Sequence, residues 1–180
     1  MTQSGADLAT VIDAIYRPWF QRRSSGQGLL DRERRFPERL IGIADELGCL
    51  PVPGHTVRIT GSKGKGSVAR LIAWSLQAQG HRVGLVLSPH ERDHTDRIRI
   101  NNQAISPDDL VTVHSRLEPH LERLLEAHPT PYYPAPSGIF LLIALAWFKE
   151  QGVDYWALEA GRGGVSDEVG PIESKLAILR

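Results

Sequence analysis

The heptapeptide GSKGKGS, Gly61 to Ser67, sets three glycines and two lysines between a short apolar run, VRIT, and a helical pattern, VARLIAWSLQAQG. Glycines at 61, 64 and 66 let successive backbone amides turn inward to form an anion-sized concavity. Lys65 adds charge, and a helix starting near Ser67 adds the positive end of its dipole. The standard phosphate loop has four residues between its first glycine and its Gly-Lys pair, whereas this one has two. The assignment of Gly61, Ser62, Lys63, Gly64, Lys65, Gly66 and Ser67 to phosphate binding therefore rests on their physical roles and not on a pattern match. Glu159 closes a second apolar run just before AGRGG, where a carboxylate can hold Mg2+ directly or through water. A structural pair with Arg162 is the alternative. Ser88 and His90, in LSPH, close a third run, and a histidine in such a place is more often an ordinary loop residue than a functional one.

These groups need elements to carry them. PVPG at 51–54 breaks the chain before a strand over Thr56 to Thr60. After the glycine loop, Val68, Leu71, Ile72, Ser75 and Leu76 fall on one helical face, and Gly80 sits at the C-terminal cap. RVGLVLS is a buried strand, so strand, loop, helix and strand form one crossover unit with parallel strands. RIRINNQAI predicts a tight hairpin turning at Asn101 and Asn102. Ser106, Pro107 and Asp109 start a helix that runs to about Ala127, kinked or divided at Pro119. PTPYYPAP is an extended loop. SGIFLLIALAWFKEQG, capped by Ser137 and Gly152, is apolar on nearly every side and must lie against a sheet. VDYWALEAG and KLAILR supply two more strands. Residues 1–55 are a helical leader, with apolar periodicity over Leu8 to Phe20 and again over Phe36 to Leu47. Its arginines at 17, 22, 23, 32, 34, 35 and 39 alternate with Asp31, Glu33 and Glu38, which predicts a solvated, self-neutralised face in preference to an anion-binding patch. Trp19, Trp74, Trp147 and Trp156 sit in apolar settings and read as core. The whole is a three-layer α/β domain with a mainly parallel sheet, residues 56–180, whose ligands gather at the carboxyl ends of the strands.

Composition narrows the function. Basic and acidic residues both number 21 in 180, so no global field draws nucleic acid or an anionic membrane. The apolar fraction of 41% is that of an ordinary soluble domain, and the longest apolar run, Ile139 to Phe148, is too short to span a bilayer. One cysteine, Cys49, and an N-terminus without a secretory pattern fit a reducing, cytoplasmic setting.

Taken together, TGSKGKGSVARLIAWSLQAQGHRVGLVLSPH, RIRINNQAIS and ALEAGRGG resemble, in collinear order from Val57 to Arg180, the N-terminal ATP-binding portion of the Mur ligase superfamily. Within that superfamily these segments look like the branch of folylpolyglutamate and dihydrofolate synthases. The resemblance implies a P-loop fold and an ATP-dependent ligase, in which a carboxylate is phosphorylated and an amine attacks the acyl phosphate. It implies that Gly61 to Ser67 wraps the ATP phosphates with Lys65 at the terminal ones, and that Ser88 and Glu159 bind Mg2+. His90 and Asp167 fall on the substrate side. The implied partners are a small-molecule carboxylate and an amino acid.

The pattern also departs from that branch. Lys63 takes the place of an asparagine in the folate enzymes' loop. Their phenylalanine-glutamate pair ahead of the buried helix aligns with Ser137 and Gly138. Their Arg-Leu-Asp-Ala-Thr-Asn segment aligns with VSDEVG at 165–170, where only Asp167 matches. Nucleotide positions are kept and folate positions are changed, and EAGRGG also resembles the loop of cyanophycin-synthetase-type ligases. The family's third metal ligand, a histidine, and its C-terminal domain would follow Arg180, so the expectation is an incomplete catalyst, a fragment or half of a split enzyme. A non-catalytic nucleotide-binding module and a P-loop kinase or ATPase are the competing classes.

Overall fold

The computed structural model describes residues 3–25, 28–30, 32–35, 37–161, 163 and 167–179. Its centre is a six-stranded sheet in the order β4-β3-β2-β5-β1-β6, built from β1 (Thr56–Thr60), β2 (Val83–Val86), β3 (Ile98–Ile100), β4 (Gln103–Ala104), β5 (Tyr155–Glu159) and β6 (Leu176–Leu179). Strands β2, β5, β1 and β6 run parallel, and β3 and β4 are antiparallel additions. The register pairs Ile59 with Glu159 and Val86 with Leu158, so β1, β5 and β2 deliver their carboxyl ends to one edge. That edge carries Gly61, Glu159 and Ser88.

Helices cover both faces, which gives the three layers. On one face α4 (Lys65–Ala78) packs Ala69 and Ala73 against Ile59, Leu85 and Ala157. On the other, α6 (Pro136–Glu150) is buried almost all round, because α1 (Gln3–Arg22), α3 (Pro37–Glu46) and α5 (Pro107–Ala127) enclose its outer side. α5 runs through Pro119 as one helix. Its start is as the residue types require: Ser106 Oγ accepts the Asp109 N–H at 3.0 Å. The β3-β4 turn places Asn101 and Asn102 at φ of 45° and 66°, a conformation asparagine tolerates. Among the described residues strand β6 pairs only with β1, and Leu176 and Leu179 are exposed. Among the described residues no helix is long and apolar enough to cross a membrane.

Several expectations need correction. The leader's arginines do not all lie on a solvated face: Arg17 and Arg23 are exposed, but Arg34 and Arg35 are buried. Arg34 donates to the carbonyls of Arg22, Arg23 and Pro131, and Arg22 donates to those of His128 and Tyr132, so these guanidiniums satisfy the ends of α1 and α5. α2 (Arg32–Arg35) holds this cluster. Trp147 and Trp156 are core, but Trp74 is 46% exposed and Trp19 borders a cleft. Leu71, at 58%, also faces solvent, because Ala69 and Ala73 sit against the sheet with Val68, Ile72 and Leu76 half-buried beside them. The N-cap of α6 is Ala135 and not Ser137. Phe36, Asp31 and Arg180 lie outside the described residues, as does the Arg162 that was the alternative partner for Glu159.

Gly84 in β2 is required by close packing: a Cβ there would stand 2.6 Å from Cδ2 of Phe148, which is fully buried. Gly84→Ala is expected to cost about 1–3 kcal/mol of overpacking, read as a thermal midpoint lower by about 2–4 °C per kcal/mol. An unchanged midpoint would show that the α6–β2 contact yields freely.

One buried and one half-buried histidine set a pH dependence. Burial pushes His114 on α5 below its usual 6.5, against Glu118, and it pushes His94 down too, helped by His90 and Arg97 and opposed by Asp93. The fold holds both rings neutral, while the unfolded chain protonates them below about 6.5. Their contribution is therefore complete above that value and is lost as pH falls through the depressed values. Urea midpoints should decline in that window, and His114→Gln should flatten the decline.

Candidate functional site

The loop after β1 takes its shape from its glycines. Gly61 has φ of 132° and Gly64, the N-cap of α4, has φ of 67°, both in the region that favours glycine. The helix begins at Lys65, two residues before the predicted start. The first intrahelical bond runs from Val68 N to Gly64 O, so the N–H groups of Lys65, Gly66 and Ser67 precede the ladder and point out of the helix end. Ser62, Lys63 and Ser67 are exposed, and Lys65 and Gly66 are half-buried.

Gly66 is the point of contact with β5. A Cβ there would lie 3.2 Å from Glu159 Oε2, so any larger residue would crowd the carboxylate off the helix end. Glu159 is 6% exposed and takes one hydrogen bond among the described residues, from the backbone N–H of Ser88 to Oε2 at 3.1 Å. Burial pushes its carboxyl up and Asp167 pushes the same way; the Ser88 N–H, Lys65 and Arg70 pull it down. Asp167 is buried as well, with Oδ1 accepting the Val169 N–H at 3.2 Å. The Cβ position of Gly161 lies 2.7 Å from Ser88 Oγ and 3.4 Å from Asp167 Oδ2, so these two oxygens converge over a bare backbone. Ser88, Glu159, Gly161 and Asp167 line one small cavity. Hydroxyl and carboxylate oxygens are the hard donors that suit Mg2+, and an under-bonded buried carboxylate is the feature a cation would relieve.

Predicted residues from three separate segments thus meet at one sheet edge: the loop at 61–67, Ser88, Glu159 and Asp167. His90 does not join them. Its Nδ1 accepts from Arg97 Nε at 3.3 Å and its ring lies 4.4 Å from that of His94.

Beside the small cavity opens a cleft of about 320 Å³, walled by Tyr16, Trp19, Tyr133, Arg97, Ser88 and Ser137, among others. Sequence reasoning missed most of this wall. Arg35, also in its lining, is ion-paired with Glu168 inside the protein, and Ser137 Oγ donates to Glu168 Oε2 at 3.1 Å. Burial pushes the Glu168 carboxyl up, against the pull of Arg35. The alignment that set Gly138 against a glutamate and Glu168 against an alanine held the available signal, because a Cβ at 138 would stand 2.5 Å from Glu168 Cγ.

No protein-family model matches the chain. Individual proteins do. It is 33% identical over 145 residues to the dihydrofolate synthase/folylpolyglutamate synthase of Haemophilus influenzae, covering 79% of this chain and 30% of that protein. It is 29% identical over 160 residues to the Mycobacterium tuberculosis enzyme of the same name, covering 82% and 33%. The chain therefore spans about a third of the length of these relatives. Among solved structures, Mycobacterium tuberculosis folylpolyglutamate synthase complexed with ADP superposes with a TM-score of 0.83 at 25% identity, over 98% of this chain and 37% of that one. A folylpolyglutamate synthase complex with AMPPCP matches with a TM-score of 0.77, also at 25% identity, over 96% and 39%.

Proposed function

The chain is homologous to the N-terminal portion of the folylpolyglutamate and dihydrofolate synthases, enzymes of the Mur ligase superfamily, and on that premise we propose that it is the nucleotide-binding portion of an ATP-dependent carboxylate–amine ligase. The observation that carries this reading is the meeting of a glycine-shaped helix end with a buried, under-bonded carboxylate across Gly66. A phosphate-binding loop alone would need no such neighbour.

In this reading Gly61 to Ser67 hold the ATP phosphates through the N–H groups of the helix start, with Lys65 at the terminal phosphate. Ser88 and Glu159 hold Mg2+, with Asp167 alongside. When bound, Mg2+ offsets the charge that builds on the transferred phosphoryl oxygens. Ser88 is shared between the small cavity and the cleft, so an acid seated in the cleft would present its carboxylate beside the phosphate loop. The carboxylate oxygen then attacks the terminal phosphorus, the bond to the bridging oxygen breaks and ADP leaves, and the amine later attacks the acyl carbon, expels phosphate and loses a proton to give the amide. The acid is held by contacts that differ from those of the folate enzymes, since Ser137 on that wall, and Gly138 and Glu168 behind it, stand where those enzymes carry other residues. Calorimetry with Mg-ATP tests the reading: millimolar or tighter binding is expected, and a folded chain that binds none would overturn it.

A further inference from the structure

Three arginines are buried among the described residues: Arg34, Arg35 and Arg97. Arg34 donates to three carbonyls and Arg35 to the Glu168 carboxylate. Arg97, 8% exposed at the start of β3, meets no carboxylate or carbonyl. Its guanidinium lies over the Phe140 ring, 4.9 Å from the centroid, its Nε donates to His90 Nδ1, and the Tyr16 hydroxyl bonds it. His94 stacks on the same Phe140 at 5.8 Å and packs edge-on to Tyr16 at 5.6 Å. An aromatic seat of this kind fixes a guanidinium in place without neutralising it.

A buried cation without an anion is costly unless a ligand supplies one. Arg97 forms part of the cleft wall, whose lining holds no acidic side chain among the described residues, and it also borders the small cavity with Ser88, Glu159, Asp167 and Glu168, to none of whose carboxylates it donates a hydrogen bond. We infer that Arg97 is the anchor for the carboxylate of the acid substrate, holding it at the Ser88 end of the cleft. This inference rests on the ligase reading for the identity of the acid, and on Arg97's geometry alone for the anion. His90, bonded through Nδ1, is a positioning residue that orients the guanidinium.

The test uses benzoate and its uncharged isostere benzamide, titrated against the folded chain and followed by the Trp19 indole N–H resonance. Benzoate is expected to bind about tenfold or more tightly than benzamide, the worth of a charge-assisted hydrogen bond. Arg97→Met should erase that preference, and Arg97→Lys should keep part of it, with near-UV circular dichroism confirming that each variant is folded. Should Arg97→Met fail to fold, the Lys variant and His90→Ala, expected to weaken benzoate but not benzamide, carry the test. Equal affinity for the two probes in the wild type, absence of saturable benzoate binding, or a preference that survives in the Met variant overturns the inference. Mg-ATP calorimetry on the wild type separates the two failures: loss of nucleotide binding with the benzoate preference intact would remove the ligase reading and leave the anion anchor.

Discussion

Lys65→Ala is expected to weaken Mg-ATP binding by about 10- to 100-fold, equivalent to about 1.5–3 kcal/mol for one charge-assisted contact. Lys65 opens α4 and is half-buried beside Glu159, where its field opposes the burial that pushes that carboxyl up. Its charge therefore acts at the helix end, where an anion bound by the loop would meet it. Alanine is the better helix former, so the variant should melt within about 0.5 kcal/mol of wild type. Lys63 makes the natural control. It is exposed, and an exposed ion pair contributes at most about 1 kcal/mol, so Lys63→Ala should weaken binding by about fivefold or less. Equal losses at the two positions would mean that the loop attracts phosphate only through its summed charge, and unchanged affinity in Lys65→Ala would remove the loop from the site.

The sequence disclosed most of the scaffold because local chemistry specified it. The continuous apolar runs of β2 and β5 could only be strands buried on both faces, the paired asparagines could only be a tight turn, and α6 could only be wrapped. The site edge was legible for a related reason: in a parallel sheet, residues that end strands share an edge regardless of their distance along the chain. What stayed hidden depended on contacts that local pattern does not encode. Arg35 and Glu168 are 133 residues apart, and each taken alone is an ordinary surface type. Arg97 looked like one polar residue of an alternating strand, and its burial follows from Tyr16 and Phe140 arriving from two different helices. The tryptophan at 74 failed in the opposite direction, since α4 turns its alanines to the sheet and leaves the larger ring outside.

Glu168→Ala should be strongly destabilising, at about 3–5 kcal/mol, because it removes the buried carboxylate to which the buried Arg35 guanidinium donates behind the cleft wall. Gly138→Glu should also destabilise when made alone: its Cβ would meet Glu168 Cγ and Leu40 Cδ1, each at 2.5 Å, and its carboxylate would enter beside another. The two changes together should be far less harmful than their sum. Removing the Glu168 side chain clears one of the two overlaps at 138, and Ser137 Oγ, 3.5 Å from Arg35 Nη2, shows that the next position lies within reach of the guanidinium. In the double variant the carboxylate would thus move from the facing loop to the helix start, on the same side of the buried Arg35. A double-mutant cycle by urea denaturation should give a coupling of about 1–3 kcal/mol in favour of the pair. Additivity within about 0.5 kcal/mol would mean that the two positions change independently, and that Glu168 serves the bound acid and not the burial of Arg35.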